Sequence, residues 1–286
     1  MDAARTSTHL PSLTAETGRA WLAWALPLLL ASLAAGEVAE LAPDLRLSAG
    51  LHLAALMLTV AAVACCKLGV WRLAAQHGRR PGRSAQAWAV RAALLAGAAL
   101  LGWTFALQHR PAQALEMGRI ALGHDPVPIV DVLPTPDGRS LLLRGSLGSG
   151  SAARVRAALA EAPAVQWVRL DSAGGRLLEA ETIAAEIQRL GLDTHVEGHC
   201  ASACTLVLLA GRTRTAAPEA QIGFHRPQFA GVDAQQLGDT PVLLNAYRSA
   251  GLGEAFIERV RRTPSHAVWY PARAELLDNR VLGGIR

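Results

Sequence analysis

The sequence predicts an α/β domain built on a mostly parallel β-sheet with flanking helices, preceded by three transmembrane helices. Three observations lead there. Composition changes near residue 107, from an Ala- and Leu-rich half with three long apolar runs to an ordinary globular half. In the second half, strand-like and helix-like apolar patterns alternate in the order βαβαβα, which builds parallel sheets covered by helices. Finally, glycines, a serine and a histidine all fall at or just after the ends of predicted strands, where such sheets carry their functional loops.

The apolar runs cover residues 20–36, 48–66 and 92–107, and membrane helices are expected over about 20–36, 48–66 and 91–108. A helix needs roughly 17–25 apolar residues to cross the hydrocarbon core. The third run is short, with Arg91 placed to snorkel. Trp21, Trp24, Trp71, Trp88 and Trp103 stand near run ends, where indoles favour the membrane interface. No amphipathic periodicity marks these runs as surface helices of a soluble domain.

Charge sets an expected orientation. The first connecting loop holds Glu37, Glu40 and Asp44 against Arg46, whereas the second holds Lys67, Arg72, Arg79, Arg80 and Arg83, with Arg91 beyond. The positive-inside rule keeps the second loop and the N-terminus in the cytoplasm. The expected location is then the cell (inner) membrane, multi-pass, with the C-terminal domain extracytoplasmic. A cleaved signal peptide ending near Ala34 is the alternative for the first run, and it leaves the C-terminal domain on the same side.

Net charge is +5, of which +4 belongs to residues 1–107 (nine Lys+Arg, five Asp+Glu) and +1 to the rest (19 against 18). The C-terminal half therefore has no basic run suited to phosphate backbones, and no nucleic-acid partner is expected. No cofactor or metal site is expected either. The lipid bilayer is the expected partner of the first half.

Residues 108–137 read as a linker rich in Pro and polar residues, and 138–286 as the globular domain. A strand is expected from Ser140 and a helix over 152–162. The alternating stretch 165–170 reads as a strand ending at Asp171-Ser-Ala-Gly174-Gly175. Residues 177–190 form an amphipathic helix, with Ile183, Ile187 and Leu190 on one face and Gly191 as its stop. A strand over 193–197 leads into a turn at Ser202, followed by an apolar helix over 205–210. A further strand covers 221–224, with helices around 241–250 and 254–262.

The candidate site has three parts: a nucleophile, an oxyanion hole and a general base. Ser202 sits between alanines at a strand-to-helix turn, open to substrate. An N-cap role is the structural alternative. Gly174 and Gly175, with the backbone of Ala203, are the expected oxyanion donors. His225, at a strand end, is preferred as base over His195, His199 and His266. Cys200 and Cys204 flank the serine, either as a disulfide or as buried thiols. The only lysine in the chain is Lys67, so the globular half has no lysine base.

These residues resemble the ClpP/crotonase superfamily, above all its membrane-anchored ClpP-like serine peptidases. Ser172-Ala-Gly174-Gly175 is similar to that family's glycine turn, Ala201-Ser202-Ala203 to its nucleophile turn, and Phe224-His225-Arg226-Pro227 to its base segment. Ala210-Gly211 and Arg214 also fit. The resemblance spans about 138–285. It implies a peptidase whose substrate is a protein or peptide, and leaves a homo-oligomer open. Two departures stand out. Alanine replaces the proline of the glycine turn, and the position matching the family's third triad residue, normally Asp, holds His266. The resemblance therefore implies a Ser-His dyad, an acid borrowed from Asp233 or Asp239, or a weak enzyme. A catalytically inactive binding or scaffold protein and an acyl-CoA enzyme of the crotonase branch are the rival expectations.

Overall fold

The computed structural model describes residues 13–42, 44–77, 79, 84–107, 110–230, 232–233 and 241–284. They divide into two compact units, separated near Met117 and Gly118, with Ala42–Leu47 counted in the second.

The first unit is helical. Helix α1 spans Leu13–Glu40, α2 Leu45–His77 and α3 Ser84–Leu107. Two of them, over Arg19–Ala39 and Leu45–His77, are long and apolar enough to cross a membrane. Their outward side chains suit lipid: Leu26, Leu30, Leu33, Met57 and Val60 are all exposed. The third expected span forms a helix but does not join those two. Its uncharged run is shorter than the roughly 20 residues a hydrocarbon core requires, and its last turns lie among residues whose side chains are not described. Between α1 and α2, Ser32 Oγ donates to the Ala55 carbonyl (2.8 Å) and bonds Thr59 Oγ1 (2.7 Å), the polar adhesion that apolar helices use. Arg91 stacks on both Trp71 and Trp88, at 5.1 Å from each ring.

The expected linker is partly regular. Helix α4 covers Arg110–Ala121 and strand β1 Asp131–Pro134. Apolar positions such as Ile120 and Val130, both buried, are too sparse in this Pro-containing stretch to produce a readable period.

The second unit is a mixed α/β fold with a mostly parallel sheet. Strand β2 (Ser140–Leu147) precedes helix α5 (Ser151–Glu161), β3 (Trp167–Gly175), α6 (Leu177–Leu190), β4 (Asp193–Ala201) and α7 (Cys204–Leu209). Then come β5 (Thr213–Ala216), β6 (Gln221–Gly223) and the small pair β7 (Gln228–Phe229) and β8 (Val232–Asp233). Helices α8 (Pro241–Ser249), α9 (Glu254–Arg262) and α10 (Arg273–Asp278) and strand β9 (Gly283–Gly284) complete it.

The described strands run β1-β2-β3-β4-β5-β9. The central pairs are parallel, and the outer strands β1 and β9 are antiparallel. Strands β5 and β6 pair with successive stretches of the same edge of β4. Two expected strands were too short: β3 continues through Gly174 and Gly175, and β4 runs on to Ala201. Inward residues alternate, as with Val168 and Leu170 on β3, and meet Ile183 and Ile187 of α6. Full burial of each such side chain contributes about 1.5–3 kcal/mol. Helix α7 is buried all round, as its uniform apolarity requires.

Asp125, in the expected linker, anchors this unit. Its side chain receives Arg176 Nη2 (2.5 Å) and Nε (3.1 and 3.2 Å) and the backbone N–H groups of Val127 and Ser149 (both 3.0 Å). Arg176 directly follows the glycine pair, so the contact fixes the end of β3. Burial pushes the Asp125 carboxyl up, but the Arg176 and backbone donors outweigh it and hold its pKa below the usual value. Such a group stabilises the fold fully above its unfolded pKa of about 3.9, and the contribution is lost as pH falls through the lower folded value. Asp125→Asn is therefore expected to lower the melting temperature at pH 7, with the gap to wild type closing below about pH 4. A pH series of thermal melts checks this; a gap independent of pH would rule out the ionised role.

Candidate functional site

Strand β4 enters the site with Cys200 and Ala201, and α7 leaves it from Cys204. The chain reverses within Ser202 and Ala203 by placing Ser202 in the left-handed region, φ 55°. A non-glycine residue there is strained and persists only where its surroundings hold it. A serine forced into that conformation between strand and helix projects its hydroxyl from the turn.

Five contacts hold the turn. The Ser202 N–H donates to the Gly223 carbonyl on β6 (3.0 Å). The Ser202 carbonyl accepts from the Thr205 N–H (3.0 Å) and from Thr205 Oγ1 (2.7 Å). Thr205 Oγ1 also bonds the hydroxyl of Tyr247 (2.9 Å), which is fully buried and whose pKa that burial raises. The disulfide Cys200–Cys204 closes the base of the turn across Cα atoms 5.3 Å apart. Of the two readings open for these cysteines, the structure has the disulfide; Cys65 and Cys66 are free.

Gly174 packs against the same turn. A Cβ there would lie 2.6 Å from the Ala201 carbonyl oxygen, 2.9 Å from the Ala203 nitrogen and 2.9 Å from Ser202 Cβ, and its φ is 94°. Only glycine fits. Its own N–H, however, donates to Ser172 Oγ (3.1 Å), so Gly174 spaces the turn rather than offering a donor. The Arg176 N–H donates to the Leu147 carbonyl on β2 (2.8 Å). Among the described residues, no backbone carbonyl accepts from the Ala203 N–H.

His225 stands just beyond β6. Ala201 pairs with Gly223, so Ser202 follows the last pair on β4 by one residue and His225 follows it on β6 by two, at the ends of neighbouring parallel strands. Both are half-buried. His225 Nδ1 lies 2.6 Å from the Arg226 carbonyl oxygen. A carbonyl only accepts, so this contact assigns the proton of the neutral imidazole to Nδ1 and leaves Nε2 as the acceptor, the tautomer a general base requires. Ser202 Oγ makes no hydrogen bond to His225 among the described residues.

The other histidines are placed differently. His195 Nδ1 bonds Thr215 Oγ1 on β5 (2.8 Å), and burial lowers its pKa. His199 Nε2 bonds the Tyr270 hydroxyl (3.1 Å). His266, expected as the third member, is exposed and makes no bond to His225. Its segment lies alongside, with the Arg226 N–H donating to the Thr263 carbonyl (3.0 Å) and Phe224 bridging Trp269. The turn at 264–267 nonetheless directs residue 266 to solvent. Asp233 lies in β8, and Asp239 lies outside the described residues. The carbonyl of Arg226, invisible to side-chain reasoning, takes the orienting place. Among the described residues no group of three or more His, Cys, Asp or Glu side chains is arranged to hold a metal ion.

Chemically, the arrangement offers a strained serine, an imidazole whose Nδ1 is bonded to a carbonyl, and an Ala203 N–H without a backbone acceptor, all at neighbouring strand ends. No protein-family model matches the chain, and no curated protein matches it either.

Gly174→Ala is expected to displace the Ser202 turn, because backbone atoms stand in the way of the new Cβ. The expected outcome is loss of serine-directed labelling by at least tenfold and a lower melting temperature. Wild-type labelling in this variant would refute the packing.

Proposed function

We propose that the chain is a membrane-anchored serine peptidase-like hydrolase of ClpP/crotonase type, acting outside the cytoplasm. The observation that carries this reading is Ser202 in a left-handed strand-to-helix turn beside an imidazole whose Nδ1 is committed to a carbonyl. In the proposed reaction His225 Nε2 takes the Ser202 hydroxyl proton as Oγ attacks a peptide carbonyl carbon. The carbonyl oxygen gains the electron pair and is held by the N–H groups of Gly175 and Ala203. The intermediate collapses, the C–N bond breaks, and the imidazolium protonates the departing amine. Water then hydrolyses the acyl-enzyme with the same base.

The Arg226 carbonyl supplies orientation and a dipole, but not the full charge of a carboxylate. Loss of that charge in a serine triad costs about 10⁴ in turnover. A slow peptidase follows, with protein or peptide substrates. The rival reading, an inactive binding or scaffold protein of the same fold, is favoured by the unmade Ser202–His225 hydrogen bond.

The extracytoplasmic location rests on two supports: the basic loop before α3, and the Cys200–Cys204 disulfide, which suits an oxidising compartment. With only α1 and α2 crossing, the second unit would share the side of the N-terminus. The reading therefore requires α3 to cross as well.

A fluorophosphonate probe on the purified full chain tests the chemistry. Labelling of wild type and its loss in Ser202→Ala are expected. Equal labelling of the two would remove Ser202 as nucleophile, and no labelling of either would favour the scaffold. Alkylation of thiols in intact cells, before any reduction, tests the location. When the cells are then denatured without reductant and alkylated again, Cys200 and Cys204 are expected to resist labelling while Cys65 and Cys66 react; free Cys200 would argue for a reducing compartment.

A further inference from the structure

Strand β5 alternates in burial, which directs Arg214 and Ala216 inward. Arg214 is only 3% exposed. Its Nη1 donates to the Leu209 carbonyl at the end of α7 (3.3 Å), while its Nε has no partner. No carboxylate lies within ion-pair distance of it among the described residues. The Nε–Nη2 edge of the guanidinium, the edge that grips a carboxylate with two parallel bonds, is therefore without an acceptor. A buried cation in this state is costly, and an arginine does not escape by losing its proton.

Arg214 lines a cleft of about 1200 Å³, at the opposite end of α7 from Ser202. Small and apolar side chains form much of the wall, among them Ala184 on α6, Leu206 on α7, and Ala246 and Ala250 on or just after α8. Arg212 and Arg280 add positive charge at the rim, although Arg212 already faces Asp193 at 3.5 Å. Glu181 is the carboxylate on the wall among the described residues, and burial raises its pKa. It makes no ion pair with Arg214.

We propose that this cleft binds a ligand carrying one carboxylate on a compact apolar body, with the carboxylate on the free edge of Arg214 and the body against the alanine and leucine wall. The apolar lining and a single buried guanidinium suit a monoanion with a hydrocarbon part better than a phosphate, which needs several donors. A peptide C-terminus and a short fatty acid share this chemistry. The site is separate from Ser202 and stands whether or not Ser202 is a nucleophile.

Calorimetric titration of the full chain in lipid nanodiscs tests the proposal, with N-acetyl-leucine and hexanoate as water-soluble probes. Saturable binding of at least one is expected, tighter for N-acetyl-leucine if the natural ligand is a peptide end and for hexanoate if it is a fatty acid. The neutral N-acetyl-leucinamide should bind at least roughly 10-fold more weakly than the acid, the loss of one charge-assisted pair. Arg214→Met should lose the acid's advantage while keeping or raising the melting temperature, because it removes an unpaired buried charge. Should that variant fail to fold, Ala250→Phe, which fills the cleft from its wall, is expected to abolish binding. Equal affinity for acid and amide, wild-type affinity in Arg214→Met or Ala250→Phe, binding of inorganic phosphate in place of the carboxylates, or no binding of either probe would overturn the proposal.

Discussion

The left-handed conformation of Ser202 is the constraint on which the second unit's functional end depends. A strained φ at a non-glycine residue costs on the order of 1–3 kcal/mol, and the surroundings must hold it. Here they do so from every side. Strand β6 holds the serine N–H through Gly223, Thr205 and Tyr247 hold its carbonyl from below, and the disulfide joins the residues on either side. Gly174 closes the remaining side because it lacks a Cβ. The contacts from Gly223 on β6, Gly174 on β3 and Tyr247 on α8 come from other elements, so the turn is fully held only when the sheet and its helices are assembled.

That rigidity links packing to chemistry. The approach of β3 that demands glycine at 174 also sets the packing around the Ser202 turn. The orientation of His225 comes from main chain too. The Arg226 carbonyl fixes one ring nitrogen, which frees the other without any acid. In the proposed reaction, a base held by a dipole in place of a charge gives a gentler site than a full triad.

Asp125 and Arg214 illustrate opposite treatments of buried charge. Asp125 is paired in bidentate fashion and further served by two backbone donors, so its burial stabilises the end of β3. Arg214 is buried with one weak carbonyl contact and an unused edge. In a fold that satisfies its other charge so fully, the unmet guanidinium is a feature of the cleft rather than of the core.

Much was legible in the sequence because it is local. The order of strands and helices followed from apolar periods of two and 3.6, the end of α6 from Gly191, and the candidate serine and histidine from their places at strand ends. The helix and strand within residues 108–137 were not legible, since their few apolar residues find partners only on the assembled sheet. Neither was the third span, where the run of apolar residues is too short for length alone to decide. His225 is preferred among four histidines on its strand-end place alone; the structure adds that His195 bonds Thr215, His199 bonds Tyr270 and His266 stands in solvent. By itself, then, the sequence determined the α/β alternation, the apolar helices and the places of Ser202 and His225 at strand ends. Only the tertiary structure decided what holds the Ser202 turn and where a buried arginine lacks a partner, because those depend on segments far apart in the chain arriving within hydrogen-bond distance.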